Sequence, residues 1–354
     1  MLKKKANIHK KFKNAIIKDM KQKIDFLAIG DVLTDAFIHL QDVQVHCNID
    51  NAACTITLPF GDKIPYKAVE VLRGVGNAPN AAVAAGRLGL KSALIAIVGN
   101  DEEGAKTHEH FKTESVMTDF LTTQDGIPTN YHYVLSYGPE RTILVKHEHY
   151  NYVLDVEKLN QYDIEWVYLT SIASGTEKYH DALIDWLETR PEIKLAFQPG
   201  TFQMNGGIEP MKRVYARSNA FFCNRDEARK ILGLPTADYP ELHAKMRELG
   251  PEIVCITDGP NGATISNSEH AWFVPMYPDP KPPVERTGAG DACSSTTVAA
   301  MIFGKDLPTS VTYGVTNSMS VVQYVGAQAG LLSKEKIEEW LKNAPSDFKI
   351  KELW

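Results

Sequence analysis

Five consecutive residues, Thr287-Gly288-Ala289-Gly290-Asp291, carry the densest chemistry in this 354-residue chain. They stand directly before a helical run, Ala292–Phe303. Two glycines open backbone conformations closed to other residues and let an anion approach the amides. A helix start aims unpaired N–H groups, worth about half a positive charge, at whatever lies in front of it. Gly288, Ala289 and Gly290 therefore read as an anion hole for a migrating phosphoryl group. Asp291 at its rim would repel a phosphate that is merely bound. It suits a base that takes a proton from an attacking hydroxyl. The same string also arises where an aspartate simply caps a helix after a glycine turn.

A second glycine-rich run lies upstream: Gly74-Val75-Gly76-Asn77-Ala78-Pro79-Asn80, continuing into a helix that ends Arg87-Leu88-Gly89. Two glycines, three intervening residues, Asn and then Arg-Leu-Gly resemble the N-terminal signature of the ribokinase-like, or PfkB, carbohydrate kinases. Val284-Glu285-Arg286-Thr287-Gly288-Ala289-Gly290-Asp291 resembles their C-terminal signature, Asp-Thr-x-Gly-Ala-Gly-Asp. The two signatures stand in the family's order, and the likeness spans roughly Ile24 to Leu341.

The resemblance implies roles for further residues. Asp35, closing Gly30-Asp31-Val32-Leu33-Thr34-Asp35, is similar to the family's substrate-binding aspartate, and Gly76 and Asn80 are similar to its other substrate contacts. A carboxylate can accept two hydroxyls, and a glycine lets a sugar ring approach the backbone. For Asp35 a strand-end turn, and for Asn80 a plain helix cap, remain the alternatives. Asn224-Arg225-Asp226-Glu227 resembles the family's Asn-x-x-Glu, with Asn224 toward ATP and Glu227 holding Mg²⁺ through water. A capping box gives nearly the same string. Thr257, Gly259 and Gly262 resemble the nucleotide-binding strand end. Thr287 and Asn317 are similar to residues lining the ATP site. Glu285 stands where relatives often have a monovalent-cation aspartate, and Gly330 where they may have a hydroxyl; both departures count against activation by K⁺. The implied activity is ATP- and Mg²⁺-dependent phosphorylation of a small sugar or polyol. A nucleoside acceptor, with Tyr131 and Tyr133 stacking on its base, is the alternative enzyme; a non-catalytic sugar or nucleotide sensor is the alternative outside enzymes. Arg141 and Lys146 are candidates for a phosphosugar contact.

Gly99-Asn100-Asp101-Glu102-Glu103-Gly104-Ala105-Lys106-Thr107 nearly spells a P-loop, but an alanine separates the second glycine from Lys106, and three acids would repel phosphate. It reads as a structural turn.

These residues need a scaffold. From Ile24 onward short apolar runs alternate with helical patterns. Candidate strands are Ile24–Gly30, Ser92–Val98, Glu165–Ser171, Ile193–Gln198, Asn219–Cys223 and Glu252–Asp258. Helices are expected at Asn80–Leu88, Glu177–Thr189, Asp226–Leu232, Pro240–Leu249, Thr309–Tyr324 and Lys334–Asn343. Unbroken apolar strands suit a sheet buried on both faces. Strand–helix repetition predicts an α/β fold with a doubly wound, mostly parallel sheet flanked by helices. Residues 36–67 and 127–149 alternate instead, and predict a small antiparallel β-sheet lid over one edge of a single domain spanning 24–354. The lid edge invites a homodimer.

A net charge of −6 argues against nucleic acid as partner. No apolar run is long enough to span a membrane. Five dispersed cysteines without a CxxC pair fit reduced thiols and a cytoplasmic location. The first 23 residues carry nine lysines against Asp19. They read as a solvated extension, with the stripe Ile8, Phe12, Ala15, Ile16, Met20 as a weaker case for a basic amphipathic helix.

Overall fold

The computed structural model describes residues 21–41, 43–47, 54–138 and 140–354. The amphipathic stripe of the lysine-rich start lies outside them. The chain enters along β1 (Gln22–Ile29) and leaves through β2 (Leu33–Leu40), β3 (Gln44–Cys47) and β4 (Cys54–Thr57), returning along β5 (Tyr66–Val75). Helix α1 (Asn77–Arg87), β6 (Ser92–Gly99), α2 (Glu102–Thr113), β7 (Val116–Met117) and β8 (Leu121–Gln124) follow. A second excursion, β9 (Asn130–Tyr137) and β10 (Glu140–Leu144), precedes β11 (Tyr162–Leu169), α3 (Glu177–Glu188) and β12 (Lys194–Phe197). Then come β13 (Ala220–Asn224), α4 (Arg225–Leu232), α5 (Tyr239–Glu248), β14 (Ile253–Thr257), β15 (Ala263–Ser266) and β16 (Ala271–Val274). The chain ends with α6 (Ala289–Ile302), α7 (Leu307–Val321), α8 (Lys334–Lys342) and β17 (Lys351–Glu352).

The main sheet runs β7-β6-β1-β11-β12-β13-β14-β15-β16-β17, parallel as far as β14 and antiparallel beyond it. Its strands are apolar on both faces because helices cover both. Phe26 and Ala28 of β1 pack with α1, α6 and α7, while Leu27 and Ile29 pack with α3, α4 and α5. Helix α6 is buried along Asp291–Ala300. Its small residues, among them Ala292, Ala299 and Ala300, allow neighbouring helices to come close, and its hydroxyls bond inward: Ser295 Oγ donates to the Asp291 carbonyl (2.6 Å) and Thr297 Oγ1 to the Cys293 carbonyl (2.7 Å). A helix buried on all sides has to satisfy its polar groups this way.

β1 lies between β6 and β11, so the chain crosses from one side of β1 to the other, opening a crevice at the carboxyl ends of these strands. The second sheet, β10-β9-β2-β5, rises from that end. Its pairing corrects the all-antiparallel expectation: β2 and β9 are parallel, with Asp35 opposite His132. Its last strand also runs from Tyr66 to Val75, beyond the expected limit at 67.

Two more expectations change. Helix α6 starts at Ala289, with Gly288 as its cap, so Asp291 lies inside the first turn. Cys47 and Cys54 are disulfide-bonded, because the β3–β4 hairpin sets them directly opposite one another; their spacing carries no such signal. Cys223, Cys255 and Cys293 are free and buried. The bond withdraws the cysteine argument for a reducing compartment. No helix among the described residues is long and apolar enough to cross a membrane.

Candidate active site

At the mouth of the crevice a cavity of about 630 Å³ brings together Asp35, Gly76, Asn80, Glu227, Thr287, Gly288, Gly290 and Asp291. These come from β2, the start of α1, α4 and the start of α6, segments far apart in the chain. The α1 and α6 ends converge because both helices pack on one face of the sheet.

Asp291 does not cap its helix: the cap residue is Gly288, in the left-handed region at φ 78°, and no side chain satisfies the helix end. Its carboxylate instead accepts Asn77 Nδ2 (2.8 Å) and Gln198 Nε2 (3.2 Å) on one oxygen and Asn80 Nδ2 (2.9 Å) on the other. Burial pushes its carboxyl up, and the three amide donors pull it back. A base needs to be desolvated enough to want a proton and supported enough to ionise, and this environment supplies both.

The turn ahead of Asp291 is shaped by contact. A Cβ on Gly288 would stand 2.3 Å from Ala327 Cβ, whereas one on Gly290 would meet only Gln198 Nε2, at 3.9 Å. Gly288 therefore permits the turn, and Gly290 leaves cavity space open beside the first-turn amides.

On the opposite wall, burial and the charge of Glu285 push Asp35 up to about 7, with Arg141 opposing. His132 Nδ1 lies 3.7 Å from Asp35 Oδ1, and burial holds His132 down at about 4, hence neutral at pH 7. Asp35 Oδ1, His132 Nε2, Arg141 Nε and Thr287 Oγ1 are buried without a hydrogen-bond partner among the described residues. Orphaned polar atoms facing a cavity are costly unless a ligand completes them. Asp31, in the same wall, is fully engaged: Tyr152 donates its hydroxyl to Oδ1 (2.6 Å) and His147 Nδ1 stands 3.1 Å from Oδ2.

A second cavity, about 400 Å³, is lined by Asn224, Arg225, Asp258, Gly259 and Lys230, and shares Thr201 and Glu227 with the first. Asn224 and Glu227 form a capping box: Asn224 Oδ1 accepts the Glu227 amide and Glu227 Oε2 accepts the Asn224 amide, both at 2.8 Å. The cap engages one oxygen of Glu227 and leaves its carboxylate at the junction of the two cavities. Burial and then the Asp291 charge raise the Glu227 carboxyl. A half-buried carboxylate at this junction, raised by burial and by a neighbouring charge, fits a divalent cation held by Glu227.

Several expected residues are elsewhere. Asn317 is wholly buried, its amide donating to Thr296 Oγ1 (2.7 Å) and accepting from the Leu332 amide (2.9 Å), so it joins helices and lines neither cavity. Thr257 and Gly262 also border neither; Gly262 packs where a Cβ would stand 2.5 Å from the Val274 carbonyl oxygen. Glu285 Oε1 accepts the Gly326 amide (3.0 Å). Tyr131 and Tyr133 pair with each other away from the cavity, because alternate strand residues face opposite ways, and His132 between them faces in. Lys146 is exposed and paired with Glu148 (2.6 Å), whereas Arg141 lines the cavity. The P-loop look-alike is structural: Asp101 caps α2 and also holds Thr129. Sequence reasoning assigned no role to Asn77 or to Gln198, Asp31, His132 and His147. Only Asn77 and Asp31 had a signal, each standing inside a segment that resembles the family.

A family model described as pfkB family carbohydrate kinase matches residues 46–334. The ribokinase of Bacillus subtilis is 26% identical over 304 residues, 82% of this chain and 97% of that protein. A nucleoside kinase of Methanothermobacter thermautotrophicus is 23% identical over 325 residues, 88% of this chain and 94% of that one. Among solved structures, Arabidopsis thaliana ribokinase complexed with ribose and ATP superposes with a TM-score of 0.76 at 18% identity, covering 91% of this chain and 99% of that one.

Proposed function

The chain belongs to the PfkB family of carbohydrate kinases, and within it we propose that Asp291 is the base in phosphoryl transfer from ATP to a hydroxyl of a small sugar or related polyol. The observation that carries this reading is that Asp291, the glycine turn, Asp35 and Asn80 border one cavity. The acceptor lies against Asp35, His132 and Asn80, and the unpaired Asp35 Oδ1 and His132 Nε2 suit hydroxyls. Asp291 takes the hydroxyl proton, the oxygen attacks the γ-phosphorus, and ADP leaves with the electron pair of the broken P–O bond. First-turn amides at Gly288–Gly290 stabilise charge on the transferring group. Glu227 would hold Mg²⁺ through its water shell, and the ion would supply positive charge to the phosphates. The nucleotide occupies the second cavity, beside Asn224 and Gly259. The small sheet acts as a lid that excludes water and spares ATP from hydrolysis, and its free edge is the expected surface for a second copy. A K⁺ requirement is no part of this reading, since Glu285 is engaged with Gly326.

A nucleoside acceptor is the second reading. It is favoured by the wall of His132, His147 and Phe202, whose rings stand 5.1 and 4.9 Å apart in sequence and flank the cavity. Coupled ADP detection over a panel of ribose, fructose, deoxyketogluconate, fructose phosphate and nucleosides separates the two. A sugar should stimulate ADP release above the acceptor-free rate; a response to nucleosides alone would select the second reading.

A further inference from the structure

Behind the base runs a chain of side-chain amides whose orientation is decided at its far end. Gln328, buried in the turn after α7, donates through Nε2 to the Gly74 carbonyl (2.8 Å) and to Asn80 Oδ1 (3.0 Å). Its Oε1 lies 2.8 Å from His110 Nε2. A backbone carbonyl only accepts, so the end of Gln328 facing Gly74 must be the NH₂ end. Its other end is then the oxygen, and His110 must present a protonated Nε2 to it. The second N–H of Gln328 requires an acceptor, which turns the Asn80 oxygen toward Gln328 and the Asn80 NH₂ toward Asp291. There Nδ2 donates to Asp291 Oδ2 at 2.9 Å. Reversing Asn80 would set its carbonyl oxygen against the carboxylate and its NH₂ against the NH₂ of Gln328.

We propose that Gln328 is a positioning residue for the Asp291 base, acting through Asn80 by holding that amide in the one orientation that donates to the carboxylate. The anchor of the chain is backbone. Gly74 has φ 65°, and a Cβ there would stand 2.7 Å from His110 Cδ2, so a glycine is what lets its carbonyl and His110 close on Gln328 together. The inference rests on Asp291 being the base and adds how its ionised form is kept supported. Losing the Asn80 donor leaves a buried carboxylate with less to stabilise its charge, so its proton is held more tightly.

The test uses Gln328→Met, which keeps shape and removes both hydrogen-bonding ends, and Gln328→Glu, which keeps shape but replaces the donor with an acceptor. Each is compared with wild type and Asp291→Asn for kcat, KM of ATP and the pH profile of kcat, with melting and ATP binding as checks of folding. The acidic limb of kcat should move up by about one pH unit in both Gln328 variants. Near neutral pH kcat should fall by up to about 10-fold, the most that a one-unit rise in the base's pKa can take away and less than the 10²–10⁴-fold a positioned base supplies. KM for ATP should stay within about 2-fold of wild type if the effect falls on the base rather than on nucleotide binding. Should the Met variant melt below assay temperature, the Glu variant carries the same reading. An unmoved acidic limb overturns the proposal whether or not kcat falls, because a packing defect lowers kcat without changing the ionisation of the base. Wild-type turnover in Asp291→Asn would instead defeat the assignment of the base itself.

Discussion

At the scale of single residues, Asp35 makes the sharpest statement. Burial and Glu285 push its carboxyl from 3.8 to about 7 in the folded chain. The folded protein therefore keeps a proton that the unfolded chain has released, and stability falls with rising pH across that window. Its contribution is present in full below about pH 4 and is lost as pH climbs through 7, a loss on the order of 4 kcal/mol. The ligand-free Asp35→Asn variant should melt above wild type at pH 8, and the gap should close by about pH 4, as followed by calorimetric scans. A variant that melts lower at every pH would mean that the carboxylate is paired. Asp35 itself was legible in the sequence, since it ends the Gly30–Asp35 segment that resembles the family, although it lies inside β2 rather than at the end of a strand. Its partners were not. His132 is opposite it only because β2 and β9 pair in parallel, nearly a hundred residues apart, and no local pattern encodes that register. Gln198 and Gln328 reach Asp291 and Asn80 by the same kind of long-range approach. An amide that is ordinary in sequence becomes part of the site through packing alone.

At the scale of elements, the junction between the glycine turn and α6 does two jobs that two glycines separate. Gly288 supplies a left-handed cap against Ala327; Gly290 supplies empty space beside the amides. Gly288→Ala should lower stability by about 1–3 kcal/mol through backbone strain and also lose turnover. Gly290→Ala should melt like wild type yet lose turnover by about 10²-fold, since its methyl enters the space of the transferring group. Melting curves and initial rates on both variants check the division; wild-type turnover in Gly290→Ala would place the phosphoryl group elsewhere. This junction was the most legible part of the chain, because Gly-x-Gly followed by a helix is a local signal. Its error was local too: the helix begins three residues early, which moves Asp291 from the rim into the first turn. The capping box at Asn224 and Glu227 shows a limit of motif reading, since the same string encodes the cap seen here and the cation-supporting carboxylate proposed for it.

At the scale of the whole molecule, placing β1 between β6 and β11 is what gives a crevice at all. Strand–helix alternation announced that sheet from the sequence, because apolar runs bounded by helical patterns leave few other packings. The second sheet was legible as a β excursion, but not its strand directions, because insertion length does not say which way a strand returns. The Cys47–Cys54 bond stayed hidden for the same reason: it depends on a hairpin register. What the assembled molecule is claimed to do is bring an ionisable carboxylate and an anion-binding helix start to one acceptor pocket. The most direct test is acceptor-dependent transfer of the γ-phosphate from ATP in a single turnover, comparing wild type with Asp291→Asn at equal, measured ATP occupancy. The account predicts phosphorylated acceptor from wild type, formation slowed by about 10²–10⁴-fold in Asp291→Asn, and ATP affinity nearly unchanged. Transfer at the wild-type rate by Asp291→Asn would contradict it.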